Sequence, residues 1–344
     1  MKQTGIICTM GPSIRSVDIL LKMFNEGMKI VRFNFSHGTF NEYEKDFALI
    51  KSLYTQYNVN LQTLVDLEGH RIRIGKLQDK QIKLKVGQKL ILTNQYIVGN
   101  HKMIYIDYKY SFTDIKVGHE IFIDDGNLTL LVLESKKENI ITEVCNDYLL
   151  KEYKGVNIPT ACLQFNQIEQ RDVDSVKFAL KHHVNFIANS FVRSDEDMKP
   201  LLDILKQENI QESSCKLIAK IEDQAGIDNL HSILKVTDGV MVARGDLGIS
   251  IPIWKLPIKQ KYIIKECKNN NKFVIVATQI LESMITKMTP TRAEVNDIAN
   301  AVLDGADYVM FSAETAVGKY PIRVVKIAKN VINYTIKEME IKWK

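Results

Sequence analysis

Eight strand-like runs alternate with helical segments along the 344 residues, and short β-rich runs interrupt the alternation once, between His70 and Asn166. Polar and charged residues gather where those strands end. Together these observations predict an α/β chain, a TIM (β/α)8 barrel with an inserted β domain, because barrel enzymes carry their chemistry at the C-terminal ends of the strands.

In chain order, Thr4–Thr9 reads as a strand closed by Gly11-Pro12-Ser13, and Val17–Glu26 has helical spacing ending at Gly27. Lys29–Phe33 is the next strand, Tyr43–Tyr54 the next helix and Leu61–Asp66 the third strand. Helices between them imply parallel pairing. From His70 helical periodicity stops, and Gln81–Val86, Lys89–Thr93, Met103–Tyr108, Glu120–Ile123, Leu128–Leu133 and Ile140–Val144 read as an antiparallel β domain. An insertion after a barrel strand decorates the active-site face and suits a lid.

The alternation resumes with a helix at Val173–His183, a strand at Asn185–Phe191, a helix at Glu196–Glu208 and a strand at Lys216–Ile221. A helix from Gly226 leads to the strand Gly239–Ala243, and one from Leu256 to the strand Lys272–Ala277. Arg292–Asp304, the strand Tyr308–Phe311 and the helix Arg323–Glu338 complete the pattern. The expected domains are 1–69 with 167–344 as the barrel, and 70–166 as the insert.

Composition excludes several classes. At 45% hydrophobic residues the chain buries a large core, and a formal charge of +5 spread along it favours small polyanions over nucleic acid. The cysteines at 8, 145, 162, 215 and 267 form no CxxC pair and read as reduced thiols, so a cytoplasmic location is expected. No apolar run reaches the ~20 residues that span a membrane. There is no GxxxxGK[ST], no HExxH and no dinucleotide fingerprint. Tyr105, Tyr108 and Tyr110 are expected to pack rather than to stack on bases.

The most informative stretch is Leu217–Gly248, where Lys220 and Glu222 share one face of a strand and Ala243 runs into Arg244-Gly245-Asp246. Charges at buried strand ends are costly unless they pair or bind a metal. Two carboxylates, a cation and Gly-flanked amides suit a hard divalent metal holding an anionic substrate. Arg32, Asn34 and Ser36 alternate onto one face, and Asp66, Thr278, Ser312 and Glu314 end other strands.

The segments GIICTMGPS, GMKIVRFNFSHG, IDDG, KGVNIP, IAKIEDQAGIDN, DGVMVARGDLG, ATQILESMI, PTRAEVNDIANAVLDGADYVM and SAETAVGKYP resemble pyruvate kinases over essentially the whole length. The resemblance implies a small β-barrel lid inserted in the TIM barrel. It also implies phosphoryl transfer from phosphoenolpyruvate to ADP, giving pyruvate and ATP, and a homo-oligomer. By the same resemblance Glu222 and Asp246 bind Mg2+ or Mn2+, Lys220 stabilises the transferring phosphoryl and the enolate, and Gly245, Asp246 and Thr278 hold the substrate carboxylate. Arg32 and Arg73 contact phosphates, Asn34, His37 and Lys154 lie toward the nucleotide, and Asp125 belongs to the lid. An aldolase or lyase acting on an enolate leaves the lid and the nucleotide-side residues unexplained. A scaffold without catalysis leaves Lys220, Glu222, Asp246 and Thr278 unexplained.

The sequence departs from the family pattern in three places. Asp66-Leu67-Glu68-Gly69-His70-Arg71-Ile72-Arg73 stands where DTKGPEIR is commoner, placing Arg71 where K+-requiring members have Glu. This resembles the K+-independent branch, with Arg71 as a built-in cation and Asn34, Ser36, Asp66 and Leu67 as a residual monovalent site. Ile168-Glu169-Gln170-Arg171-Asp172 lacks the usual Ser that caps the following helix. The sequence stops after the eighth βα unit, where typical members continue into a C-terminal effector domain, so activation through that domain is not expected. Ile341–Lys344 is read as covering barrel surface.

Overall fold

The computed structural model describes residues 4–340 except 160, 162, 165–167 and 209–213. Cys162 and the segment Ile341–Lys344 therefore lie outside the described residues. The chain forms two compact units, one of Met1–Gly69, Ile168–Gly245 and Leu256–Lys344, the other of His70–Gln167 and Asp246–Lys255.

Numbered along the chain, the first unit begins with β1 (Gly5–Thr9), β2 (Met28–Asn34) and β3 (Gln62–Asp66). The second unit holds β4 (Gln81–Leu84), β5 (Lys89–Thr93), β6 (Met103–Tyr105), β7 (Glu120–Ile123), β8 (Leu128–Ser135), β9 (Asn139–Val144), β10 (Tyr148–Lys151) and β11 (Val156–Asn157). The first unit continues with β12 (Phe186–Asn189), β13 (Lys216–Ile221), β14 (Gly239–Ala243), β15 (Phe273–Ala277) and β16 (Tyr308–Phe311).

The first unit is a closed parallel barrel of eight strands in the order β1-β16-β15-β14-β13-β12-β3-β2. Closure removes every sheet edge and makes the interior a packed core. That interior holds Ile7, Ile30, Leu64, Ala188, Ile218, Met241, Ile275 and Met310 among its buried side chains. The helices are set by local chemistry. Val17–Glu26 ends at Gly27 (φ 118°), whose N–H satisfies the Met23 and Phe24 carbonyls. Arg292–Asp304 starts with a capping box, Thr291 with Glu294, and stops at Gly305 (φ 98°). Burial alone would raise the Glu294 carboxyl, but hydrogen bonds from Ser283 and Thr291 outweigh it and lower its pKa. Part of the PTRAE signature is therefore a helix start.

The second unit carries a six-stranded sheet, β11-β7-β8-β9-β5-β6, and a two-stranded sheet, β10-β4. Its pairing departs from the all-antiparallel expectation, because β5 and β6 run parallel. Its own core contains Leu84, Leu90, Phe112, Ile123, Leu130 and Tyr108. Tyr108 stacks on Phe112 with ring centroids 5.8 Å apart, as the packing expectation requires.

Three helical expectations are corrected. The helix expected from Gly226 is two, Gln224–Asp228 and Leu230–Val236. The one expected at Glu196 begins as a 3-10 turn, Asp195–Met198, before Lys199–Gln207. A helix at Arg244–Ser250 has no counterpart in the sequence reading.

The helix Gln170–Lys181 starts at Glu169 with no side-chain cap, as expected for the missing Ser. Its Asp172 is 5% exposed. Burial, then the nearby Glu68 carboxylate, push its pKa to about 6, with Glu169 adding to the push and the Gly69 N–H and Arg171 opposing it. A carboxyl whose folded pKa exceeds its unfolded value destabilises the fold above the folded pKa, and the penalty fades as pH falls through it. Asp172→Asn, which keeps an acceptor for the Gly69 amide, is expected to raise stability at pH 7–8 by about 1–3 kcal/mol, roughly 2–4 °C in Tm. Thermal melts should show the gain shrinking between pH 6 and pH 4. A gain independent of pH would contradict this account.

Candidate active site

Period-two alternation lifts the barrel interior from apolar to polar at one end. On β2 the buried Ile30 is followed inward by Arg32 and then Asn34, on β3 Leu64 by Asp66, and on β13 Ile218 by Lys220 and then Glu222. The same rule runs from Ile7 to Thr9, and from Ala188 of β12 to Ser190. The strands thus deliver a ring of charged and hydroxyl groups to the face where barrel chemistry occurs.

Lys220 is at the centre of this ring. Its Nζ lies 3.0 Å from Asp66 Oδ1 and 3.2 Å from Glu222 Oε1, both carboxylates being 1% exposed, and 2.6 Å from Ser190 Oγ. Asp66 also takes Arg32, through Nε at 2.8 Å and NH2 at 2.7 Å, and Arg32 NH1 donates to Thr9 Oγ at 2.9 Å. Burial favours the neutral Asp66, yet the Lys220 and Arg32 charges outweigh it and hold the carboxyl below its usual range. Glu222 Oε2 accepts from the Phe191 N–H at 2.5 Å. The expected residues Arg32, Asp66, Lys220 and Glu222 therefore form one connected cluster.

Thr278 and Gly245 meet at the ends of β15 and β14, where the Gly245 N–H donates to Thr278 Oγ at 2.8 Å and that hydroxyl donates to the Ala277 carbonyl at 2.6 Å. Thr278 (φ 67°) and Gln279 (φ 53°) both occupy the left-handed region. A β-branched residue there is strained and needs outside support. Arg244 supplies it, donating to the carbonyls of Ala277 (3.2 Å), Thr278 (2.5 Å) and Gln279 (3.2 Å), and pairing with Asp297 at 2.7 Å. Arg244 is a clamp on this turn. Glu314 is likewise structural, accepting from the Leu281 and Ser312 amides at 3.2 Å and 2.7 Å.

The remaining barrel residues form a local turn. Asn34 Oδ1 accepts from the Ser36 N–H at 3.3 Å, and Tyr43 donates its hydroxyl to the Asn34 carbonyl at 2.9 Å and to the His37 carbonyl. The His37 side chain is exposed.

Within the second unit, Arg71 NH2 lies 3.2 Å from Asp125 Oδ1 and 4.0 Å from Asp246 Oδ1. Its Nε is buried and has no hydrogen-bond partner among the described residues. Gly155 makes room for it, since a Cβ there would lie 3.0 Å from that Nε. Lys154, read as a nucleotide contact, is paired with Asp124 at 2.9 Å. Burial raises the Asp124 carboxyl, but the Tyr148 hydroxyl and Lys154 lower it further. Arg73 donates its backbone N–H to Asp107 at 2.5 Å. Asp246 sits in the first turn of the helix Arg244–Ser250.

Ser190, Phe191, Thr9 and Asp297 are site residues that sequence reasoning missed. The alternation Phe186, Ala188, Ser190 was the available signal for the first of them. The described cysteines, 8, 145, 215 and 267, are all free. No helix among the described residues is long and apolar enough to cross a membrane.

A profile of the pyruvate kinase barrel domain matches residues 1–325. A pyruvate kinase of Thermotoga maritima is 41% identical over 99% of this chain and 72% of its own length. One from Bacillus licheniformis is 39% identical over 96% of this chain, which spans only 57% of it. A crystal structure of a pyruvate kinase from Cryptosporidium parvum superposes with a TM-score of 0.92 at 39% identity, over 98% of this chain and 70% of that one. With the barrel, the polar ring at its strand ends and these likenesses agreeing over nearly the whole length, the chain belongs to the pyruvate kinase family.

Proposed function

We propose that the chain transfers the phosphoryl group of phosphoenolpyruvate to ADP, yielding pyruvate and ATP. The observation that carries this reading is a lysine, its side chain 12% exposed, flanked by two buried carboxylates, Asp66 and Glu222, at the barrel strand ends. In this reading the Lys220 ammonium faces the charge that accumulates on the transferring phosphoryl and on the enolate oxygen left behind. Arg32, pinned by Asp66 and Thr9, adds a second fixed positive group. By the family resemblance the Gly245 amide and the Thr278 hydroxyl, here hydrogen-bonded to Thr278 Oγ and to the Ala277 carbonyl, would turn to the substrate carboxylate when it binds. Thr278 would border the enol carbon that takes up a proton to become a methyl group.

Glu222, with Asp246 as the second ligand the family resemblance assigns, would hold Mg2+ or Mn2+. Both offer hard oxygen donors, and the Glu222 carboxylate is oriented by the Phe191 amide. Among the described residues no group of three or more His, Cys, Asp or Glu side chains gathers into a self-contained metal cage. A Mg2+ ion is commonly held by one or two carboxylates, with waters and substrate oxygens completing its shell. Such an ion would supply positive charge that offsets negative charge developing on the substrate.

Arg71 is proposed as the internal cation that makes K+ unnecessary. Its Nε–H, without a hydrogen-bond partner among the described residues, supports this, and so do three oxygens of the residual monovalent site that already accept hydrogen bonds. Asn34 Oδ1 takes the Ser36 amide, Asp66 Oδ2 takes Arg32, and the Leu67 carbonyl takes Ser190. The test is pyruvate formation from phosphoenolpyruvate and ADP with Mg2+, first in K+-free buffer and then with K+ added. Turnover without K+ is expected, within a few-fold of that with it. Arg71→Glu is expected to make K+ stimulate the rate about tenfold or more, the equivalent of ~1.4 kcal/mol of transition-state stabilisation. Strict K+ dependence of the unsubstituted chain would remove the role of Arg71 and leave the activity standing.

A further inference from the structure

Around the Lys220 ammonium stand the carboxylates of Asp66 and Glu222 and a neutral acceptor, Ser190 Oγ, which at 2.6 Å is nearer than either carboxylate oxygen. Ser190 is 6% exposed, and its hydroxyl donates to the Leu67 carbonyl at 2.7 Å. A hydroxyl has one proton to give, so committing it to Leu67 turns the oxygen lone pairs toward the ammonium. The next residue, Phe191, lies in the left-handed region (φ 55°) and gives its N–H to Glu222. Such backbone is costly for an aromatic residue and persists only where its surroundings enforce it. One turn, Ser190–Phe191, thus holds both the lysine and the carboxylate beside it. Gly69 makes room for this seat, since a Cβ there would come within 2.7 Å of Ser190 Cβ.

We propose that Ser190 is a positioning residue for phosphoryl transfer, setting where the Lys220 ammonium stands without neutralising it. Two carboxylates alone would draw the ammonium down onto Asp66, which is 1% exposed. A third carboxylate would cancel the charge that the phosphoryl group needs. A hydroxyl with a committed proton gives a fixed acceptor and adds no net charge. The inference rests on the reading that Lys220 acts on the transferring phosphoryl.

The experiment compares the unsubstituted chain, Ser190→Ala, Ser190→Cys and Lys220→Met for kcat, KM for phosphoenolpyruvate and Tm. Ser190→Ala is expected to lower kcat roughly 10- to 100-fold, the range a misplaced catalytic group costs. KM is expected to stay within about threefold and Tm within about 3 °C, since only the two hydrogen bonds of one hydroxyl are lost from a large fold. Ser190→Cys keeps the side-chain volume with a weaker acceptor, so it should fall with Ala. Wild-type kcat in Ser190→Ala overturns the proposal. So does a Cys variant that matches wild type where Ala does not, or a kcat loss that only tracks unfolding. Failure of the underlying reading is seen separately, as no turnover by the unsubstituted chain or as full turnover by Lys220→Met, and either removes the role of Ser190 with it.

Discussion

Lys220→Met is expected to lower kcat for pyruvate formation by about 10³-fold or more, the scale lost when a charge aimed at the transition state is removed. The substitution keeps the length and flexibility of the side chain, so the loss reports the ammonium. Its effect on folding is opposed on two sides. Asp66 and Glu222 lose a cation within 3.2 Å, but Asp66 keeps Arg32 and Glu222 keeps the Phe191 amide. Substrate binding, read by thermal stabilisation with phosphoenolpyruvate and Mg2+, should weaken far less than turnover. A variant retaining a tenth or more of wild-type kcat would mean that the phosphoryl charge is met elsewhere.

The second large effect is on stability. Arg244→Met should destabilise the protein by about 3–5 kcal/mol, the cost of breaking a buried pair and leaving its partners behind. Asp297 and the carbonyls of Thr278 and Gln279 would lose the Arg244 donor, while the Ala277 carbonyl would keep only the Thr278 hydroxyl. The left-handed pair Thr278–Gln279 would lose the clamp that offsets its strain. A drop in kcat of roughly 10²-fold should accompany the loss, because Thr278 is held by the same contacts. Arg244→Lys should recover only part of either effect, since one ammonium cannot fork to three carbonyls and a carboxylate. Denaturant melts together with kcat test both statements. An unchanged midpoint for the Met variant would contradict them.

The strands were legible because each barrel strand is a short apolar run cut off by turn chemistry. Lys216–Ile221, Gly239–Ala243 and Tyr308–Phe311 fall where the sequence puts them. The charged members of the ring were legible for a related reason, since Lys220 and Asp66 interrupt runs that should tolerate no charge. Ser190 and Thr9 were not, because a lone hydroxyl at a strand end looks the same as a helix cap or a turn former. The helix Arg244–Ser250 was hidden by composition. Two of its seven residues are Gly, each costing about 1 kcal/mol in a helix interior, and no apolar period marks it. The pairing of Lys154 with Asp124 was not legible because sequence does not show which anion a lysine meets, here one carried on a turn with Asp124 at φ 53°. The parallel β5–β6 pair escaped because a strand run states its own periodicity and not the direction of its partner.

The pairing of β1 with β16 governs how the molecule can be made. Gly5 through Cys8 lie in register with Tyr308 through Phe311, and Thr9 reaches the Phe311 carbonyl across a sequence separation of 302 residues. On the ribosome β1 is made before the other barrel strands and its partner β16 after all of them. At about 5–20 residues per second the nascent chain therefore carries one unpaired, apolar strand edge for ~15–60 s. During that interval the barrel cannot close, and the edge is open to trigger factors, chaperones or a neighbouring nascent copy. Translation speed between β1 and β16 is then expected to affect yield independently of the stability of the finished fold.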